Sequence, residues 1–299
     1  MPASWKAPDA GSIPDDATGR QIRYGRALIA NTASYLGPKG TVAHISNGMN
    51  CQNCHLEAGT KPFGNNYSAV ASTYPKFRER SGAIENICKR VNDCFERSLN
   101  GHALDSASAE MKAIEAYIRW LGKDVKKGNK PAGAGIEDLP FPDRPADPLG
   151  GAVAFKTKCI SCHGEDGQGK MNAGGMSYQY PPLWGPHSYN TGAGLYRLTR
   201  FAGYIKNNMP QGASKSAPQL SNEEAWDIAA FVNSQDRPEG NISKDWPRIA
   251  GKPIDNPFGP YADGFSEKQH KLGPYAAIAE YKEKHKKDKD AGINLTQKK

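Results

Sequence analysis

The sequence predicts a mainly α fold: two small domains of one kind, joined by a Pro/Gly-rich linker and followed by an extension. Three observations carry this. The pattern Cys-x-x-Cys-His occurs twice, at Cys51–His55 and at Cys159–His163. Each copy is followed by a stretch with apolar residues at helical spacing: Met111, Ile114, Tyr117, Ile118 and Leu121 in the first half, Ala225 to Asn233 in the second. Between them, residues 122–148 hold five prolines and four glycines among charges, a composition that interrupts regular structure.

The motif sets the cofactor. From this composition it arises by chance on the order of 0.003 times per chain, so two copies are a strong signal. A redox dithiol or half a zinc site would not need the adjoining histidine, and neither copy sits in a βαβ pattern. In a haem-attachment motif two thioethers pin the macrocycle and the next residue's imidazole reaches the iron. Each domain therefore reads as class I cytochrome c-like with one covalent haem c, held by Cys51, Cys54 and His55 in the first and by Cys159, Cys162 and His163 in the second. The expected bounds are 1–122 for the N-terminal domain with the catalytic haem, 123–148 for the linker, 149–238 for the electron-transfer domain and 239–299 for the extension.

The elements follow in order. Residues 1–19, rich in Pro, Ala and Asp, are expected to lie across the surface. Ile22, Leu28, Ile29 and Tyr35 predict a first helix over 19–35, and residues 58–64 read as a loop. Residues 81–99 are expected to form one helix, and Glu110 to Leu121 another. Residues 150–158 form a helix running into the second motif, and residues 195–207 one that ends before Met209-Pro210. Ser221 followed by Glu223 and Glu224 is a helix start, a capping hydroxyl with acids in the first turn. Within the extension a helix is expected near Ala276 to Lys284.

The two halves align as a diverged repeat. Placing Ala230-Phe231-Val232 on Ala116-Tyr117-Ile118 gives an offset of 230 − 116 = 114, which puts Met209 on position 95, one residue from Cys94. The separations agree loosely, 209 − 163 = 46 against 94 − 55 = 39. Met209 is the natural sixth ligand of the second iron, and Cys94 occupies the matching slot of the first. Met49 precedes its motif and Met111 lies in the closing helix, so neither fits that slot. A thiolate ligand stabilises ferric iron and lowers the potential, whereas methionine raises it. Lys206, three residues before Met209, either replaces the thioether in one redox state or is a solvated lysine. Cys88 is read as packing, because six helical residues separate it from Cys94 by about 9 Å, beyond disulfide reach.

Arg90, Cys94 and Ser98 share a helical face, and Arg78 and Arg80 arrive from the preceding segment. Guanidinium forks match oxyanions bidentately. These arginines either line a small-oxyanion site or hold the haem propionates.

These residues resemble the diheme thiosulfate dehydrogenase family. The matches are Tyr24-Gly25-Arg26, Asn53-Cys54-His55-Leu56 with Ala58-Gly59-Thr60, Tyr74-Pro75 with Arg78 and Arg80, Arg90-Val91-Asn92 with Cys94, Arg97-Ser98-Leu99-Asn100-Gly101, Pro182-Leu183-Trp184-Gly185 and Ser266 to Lys271. The resemblance implies Cys94 as axial ligand at the active haem and Arg80, Arg90 and Ser98 around thiosulfate. It also implies Met209, with Lys206 in some members, at the second haem. The implied reaction couples two thiosulfate ions to tetrathionate and passes two electrons to a small periplasmic acceptor such as a cytochrome c. Alternatives from other classes are a diheme electron carrier and the haem subunit of a larger sulfur-oxidising complex.

Bulk properties fit this reading. Hydrophobic residues make up 37%, lean for two cores unless an apolar cofactor fills them. The net charge of +8 suits anionic substrates, and no nucleic-acid-binding signature is present. Part of that charge is a solvated end, Lys282, Lys284, Lys286, Lys287, Lys289, Lys298 and Lys299. No apolar run is long enough to span a membrane. No export leader precedes Met1-Pro2-Ala3, so the expectation is a mature periplasmic form, and a monomer.

Overall fold

The computed structural model describes residues 4–285. Its regular structure is helical apart from two short hairpins. In the first domain α1 (Ala17–Ala30) is capped by Asp16, whose carboxylate accepts from Gly19 N at 2.8 Å. It is followed by α2 (Thr32–Leu36), the left-handed turn α3 (Leu56–Gly59), in which Glu57 and Ala58 have positive φ, and α4 (Val70–Thr73). Then come strands β1 (Lys76–Arg78) and β2 (Ala83–Glu85), α5 (Ile87–Asp93) and the closing helix α6 (Ala109–Leu121). The second domain comprises α7 (Pro148–Lys158), α8 (Ile160–His163), strands β3 (Lys170–Met171) and β4 (Tyr178–Tyr180), α9 (Leu198–Asn208) and α10 (Asn222–Asn233). The extension adds α11 (Glu267–Leu272) and α12 (Ala276–Lys284).

Both domains are built on one helix crossing. A Cβ added to Gly25 of α1 would fall 1.9 Å from Ala113 O and 2.9 Å from Tyr117 Cβ, both on α6. A Cβ on Gly151 of α7 would fall 1.9 Å from Asp227 O and 2.9 Å from Phe231 Cβ, both on α10. Asp227 and Phe231 stand 114 residues after Ala113 and Tyr117 (227 − 113, 231 − 117). The crossing thus reproduces the offset that the sequence repeat gives. Glycine lets the backbones touch, and the buried faces of the closing helices supply the core, with Ile114, Tyr117 and Leu121 in one and Trp226, Ile228 and Val232 in the other.

Two expected helices are divided. Residues 81–99 are not a single helix. Lys76, Phe77 and Arg78 pair antiparallel with Glu85, Ile84 and Ala83 around a turn in which Gly82 has φ +66°. The helix begins only after Asn86, whose side chain accepts from Lys89 N at 2.9 Å. At Cys94 it widens into a π turn over Cys94–Ser98, closed by Leu99 N donating to Cys94 O at 2.9 Å. Such π segments concentrate at functional positions. The helix expected over 19–35 is likewise two, α1 and α2, broken at Asn31 (φ −129°); elsewhere the Ser221–Glu224 capping box is present, and Ala276–Lys284 is the helix expected there.

Residues 123–147 contain no helix or strand, yet they are packed rather than loose. Phe63 N donates to Gly133 O at 2.8 Å, and Trp226 Nε1 donates to Pro140 O at 3.2 Å. The extension wraps back over both domains and buries Tyr275 and Ile278 completely. The N-terminal segment lies across the linker, with Trp5 N donating to Ala132 O. Of the lysine-rich end, Lys286 onward lies outside the described residues. Among the described residues no helix is long and apolar enough to cross a membrane.

Candidate active site

The first motif is held by its own neighbours. Cys51 N donates to Thr32 Oγ1 at 2.9 Å, Asn50 N donates to Asn53 Oδ1 at 2.7 Å, and Asn50 Oδ1 accepts from Ala33 N at 2.9 Å. The chain then turns so that His55 Nδ1 donates to Asn65 O at 2.5 Å, and the Tyr67 ring stacks on the imidazole at 4.5 Å. A histidine whose Nδ1–H is engaged by a carbonyl presents Nε2 as a metal ligand.

That nitrogen faces a cavity of about 460 Å³ whose wall includes Cys51, Cys54, His55, Arg90, Cys94 and Ser98. Cys94 lines the same cavity, within hydrogen-bonding reach of His55. Arg90 Nη1 donates to Cys94 Sγ at 3.1 Å, one α-helical turn before the π segment begins. Burial opposes a charged sulfur here, but Arg90 and then His55 outweigh it and bring the thiol down to about 7. Burial pushes the Cys51 and Cys54 thiols the other way, up to about 12. Of the three sulfurs in this cavity, only that of Cys94 sits in a setting built for an anion.

The other cysteine and arginines are placed as follows. Cys88 Sγ donates to Glu115 Oε2 at 3.0 Å, away from the cavity, and no disulfide forms among the described cysteines. Arg78 lines the cavity wall. Arg80 does not: its Nη1 donates to Gly192 O at 2.8 Å and its Nε stands 3.6 Å from Asp245. It lines a neighbouring cavity of about 380 Å³ formed with the extension. Sequence reasoning missed Lys76, Lys130 and Arg200, which also line the first cavity. Lys76 adjoined the Tyr74-Pro75 pair already singled out, but nothing in the linker or α9 marked the other two.

The second cavity, about 880 Å³, is lined by Cys159, Cys162, His163 and Met209. His163 Nδ1 donates to Pro181 O at 3.0 Å, and burial holds the imidazole below its ordinary range, in the neutral form that binds metal. Lys206 does not reach this cavity. Its Nζ donates to Leu220 O at 2.5 Å, a bond that any ligand role would have to break. Asn50 and Cys54 line both cavities, so one backbone segment separates the two sites. The domains are laced together there, with Tyr204 OH donating to Asn53 O at 3.2 Å and Asn208 Nδ2 to Phe63 O at 3.1 Å.

Each cavity is lined by paired cysteines, an oriented imidazole and a further sulfur, a donor set that fits a haem c. Comparison with known proteins agrees. Residues 41–126 match the family model described as SoxA/TsdA, cytochrome c domain, and residues 149–236 match the cytochrome c model. The thiosulfate dehydrogenase of Allochromatium vinosum is 40% identical over 235 residues, 77% of this chain and 83% of that protein. The chain belongs to the thiosulfate dehydrogenase family. The Stutzerimonas stutzeri member is 34% identical over 266 residues, 87% of this chain and 83% of that protein. The Psychrobacter arcticus member is 39% identical, over 81% of this chain and 71% of its own length. Among solved structures, the as-isolated thiosulfate dehydrogenase TsdBA of Marichromatium purpuratum superposes with a TM-score of 0.74 at 27% identity over 92% of this chain. This chain spans about half of that one, 55%. Membership fixes the cofactor content of the chain as two haem c groups, one for each cytochrome domain.

Proposed function

We propose that this chain joins two thiosulfate ions into tetrathionate at the first haem and sends the two electrons through the second haem to a small periplasmic acceptor of the cytochrome c kind. The chain acts as a monomer, in the periplasm, and the reaction runs in either direction with the driving force. The observation that carries the reading is the Arg90–Cys94–His55 arrangement: a buried thiol lowered toward neutrality by an arginine that donates to it and by an imidazole within hydrogen-bonding reach.

Two haem c groups, when bound, supply one oxidising equivalent each. His55 and Cys94 would hold the first and His163 and Met209 the second, and Lys206 would reach the second only if its bond to Leu220 breaks. The balance is simple: two thiosulfate dianions lose two electrons and form one sulfur–sulfur bond, and no proton moves. The site therefore needs positioning and charge compensation rather than a general base. Two dianions 4 Å apart repel by about 4 kcal/mol even at the dielectric constant of water, four times the value for unit charges. Arg90 offsets this from beside the sulfur, and the Ser98 hydroxyl offers a donor on the same wall. Arg80 acts from behind, through the segment it shares with Arg78.

A diheme carrier with methionine on both irons finds no support, since no methionine lines the first cavity and Met49 lines the second. The test is a thiosulfate assay of holoprotein with ferricyanide. Cys94→Ala, retaining both haems, is expected to lose at least about a hundredfold in rate. Thiosulfate oxidation at the wild-type rate by that variant would reject the proposal.

A further inference from the structure

Arg90 answers the Cys94 sulfur and one anion beside it, but the reaction proposed above brings two dianions together. Besides Arg200, which pairs with Asp138, three more cations line the same cavity: Lys76 and Arg78 from β1, and Lys130 from the linker. Their position is built rather than incidental. Lys127 Nζ donates to Tyr74 O at 2.5 Å, Gly128 N donates to Ser72 O at 2.8 Å, and Ser72 Oγ donates to Asn129 O at 2.7 Å. The first turn of the linker is thereby fastened to α4 and to the residue that leads into β1. Lys76 Nζ sits 4.7 Å from the centroid of the buried Tyr74 ring. Arg78 Nε stands 3.8 Å from Glu85 Oε2, a buried oxygen with no hydrogen-bond partner.

The cluster is within electrostatic range of Arg90. Burial first, and then the charges of Arg78, Lys130 and Arg90, hold the Lys76 ammonium below the usual lysine range. Arg90 is the residue that touches Cys94 Sγ. Among the described residues neither Lys76 nor Lys130 has an ion-pair partner. Among the described residues the one carboxylate on the cavity wall, Asp138, is paired to Arg200 at 2.8 Å. A cavity wall with this charge excess is short of an anion.

We infer that Lys76, Arg78 and Lys130 form a second sulfonate subsite, which holds the incoming thiosulfate while Arg90 and Ser98 hold the first beside Cys94. The inference rests on the thiosulfate reading. Its chemistry follows from the product. The two sulfane sulfurs must meet, so the two sulfonate groups must point apart, and each end needs its own cations. The same two clusters would then grip the two ends of tetrathionate. The linker becomes part of the substrate site through Lys130.

The competing role for these cations is to neutralise haem propionates, and one experiment separates the two. Holoprotein carrying Lys76→Gln and Lys130→Gln is assayed with ferricyanide across thiosulfate concentration. The potentials of both haems are measured without substrate. The half-saturating thiosulfate concentration is expected to rise roughly tenfold, with kcat changed less than threefold and both potentials unmoved. The pair Lys76→Arg and Lys130→Arg is expected to restore saturation. Unchanged half-saturation in an active Gln variant overturns the subsite and leaves the thiosulfate reading standing. A shifted first-haem potential with kcat falling in parallel assigns the cations to propionates and also overturns it. A wild-type holoprotein that leaves thiosulfate unoxidised overturns the functional reading, and the subsite with it.

Discussion

At the scale of single residues the protein controls charge by pairing it before burying it. The Arg90–Cys94 contact is one instance, and Asp255 is another. This carboxylate is fully buried, accepts from Arg197 Nε at 2.8 Å, and takes both the backbone N–H and the hydroxyl of Thr199, at 3.0 and 2.6 Å. Burial works against its charge, but Arg197 and Thr199 prevail and hold the carboxyl below the usual carboxylate range. A carboxyl depressed on folding contributes stability that is fully present above its unfolded pKa of about 4 and is lost as pH falls through the folded value. Asp255→Asn is therefore expected to cost about 3 kcal/mol at pH 7. In urea titrations at several pH values, the gap from wild type should narrow below about pH 4. A gap that stays constant into acid would contradict this.

Residue identity also decided how much of the site was legible. Motif cysteines and histidines announce themselves, and the repeat offset exposed Cys94 as the counterpart of Met209. Arg90 followed from helical spacing and does contact the sulfur. Arg80 and Arg78 could not be told apart, because that segment is a strand rather than a helix. Arg78 ends β1, whereas Arg80 lies in the turn before β2, and the turn sends it to the other cavity.

At the scale of elements the repeated crossing of α1 on α6 and of α7 on α10 organises the molecule. The closing helices were readable because each carries a strong apolar stripe. The glycines that permit the crossing were not, since only the partner backbone reveals why Gly25 and Gly151 lack a side chain. Gly25→Ala and Gly151→Ala are each expected to destabilise their own domain by roughly 3 kcal/mol, as overpacking at a backbone contact. Thermal unfolding followed at each haem checks this, and wild-type melting of both variants would contradict the crossing. The failed helix over 81–99 has a local cause. Ser81-Gly82 makes a turn that a helix cannot follow, and the Asn86 cap marks a fresh start. The π turn had no sequence signature, because it is imposed from outside: Asn190 N donates to Arg97 O at 3.0 Å, and Asn190 Nδ2 to Glu96 O at 2.9 Å.

At the scale of the whole molecule the two domains, the linker and the extension make one continuous site. Arg97, within the Cys94 turn, holds Asp245 of the extension through two bonds, at 2.6 and 2.8 Å. The second domain's Asn190 grips the same turn, and the first domain's Cys54 lines the second domain's cavity. Length and composition suggested separable units. How the extension packs was not legible, because its buried residues Tyr275, Ile278 and His270 are few and fall within one short stretch. Their partners lie in other parts of the chain, which periodicity cannot show. Asp245→Ala is expected to loosen the Cys94 turn and lower thiosulfate oxidation by roughly tenfold with both haems retained. Rates equal to wild type would show that the extension does not brace the site.

The central claim is that the Cys94 sulfur completes the coordination of the first iron. Electron paramagnetic resonance of the oxidised holoprotein, compared with Cys94→Ala, addresses it most directly. The account requires a low-spin signal of imidazole–thiolate type in the wild type that disappears in the variant, while the signal of the second haem is unchanged. Superimposable spectra from the two proteins would place another ligand on that iron and contradict the account.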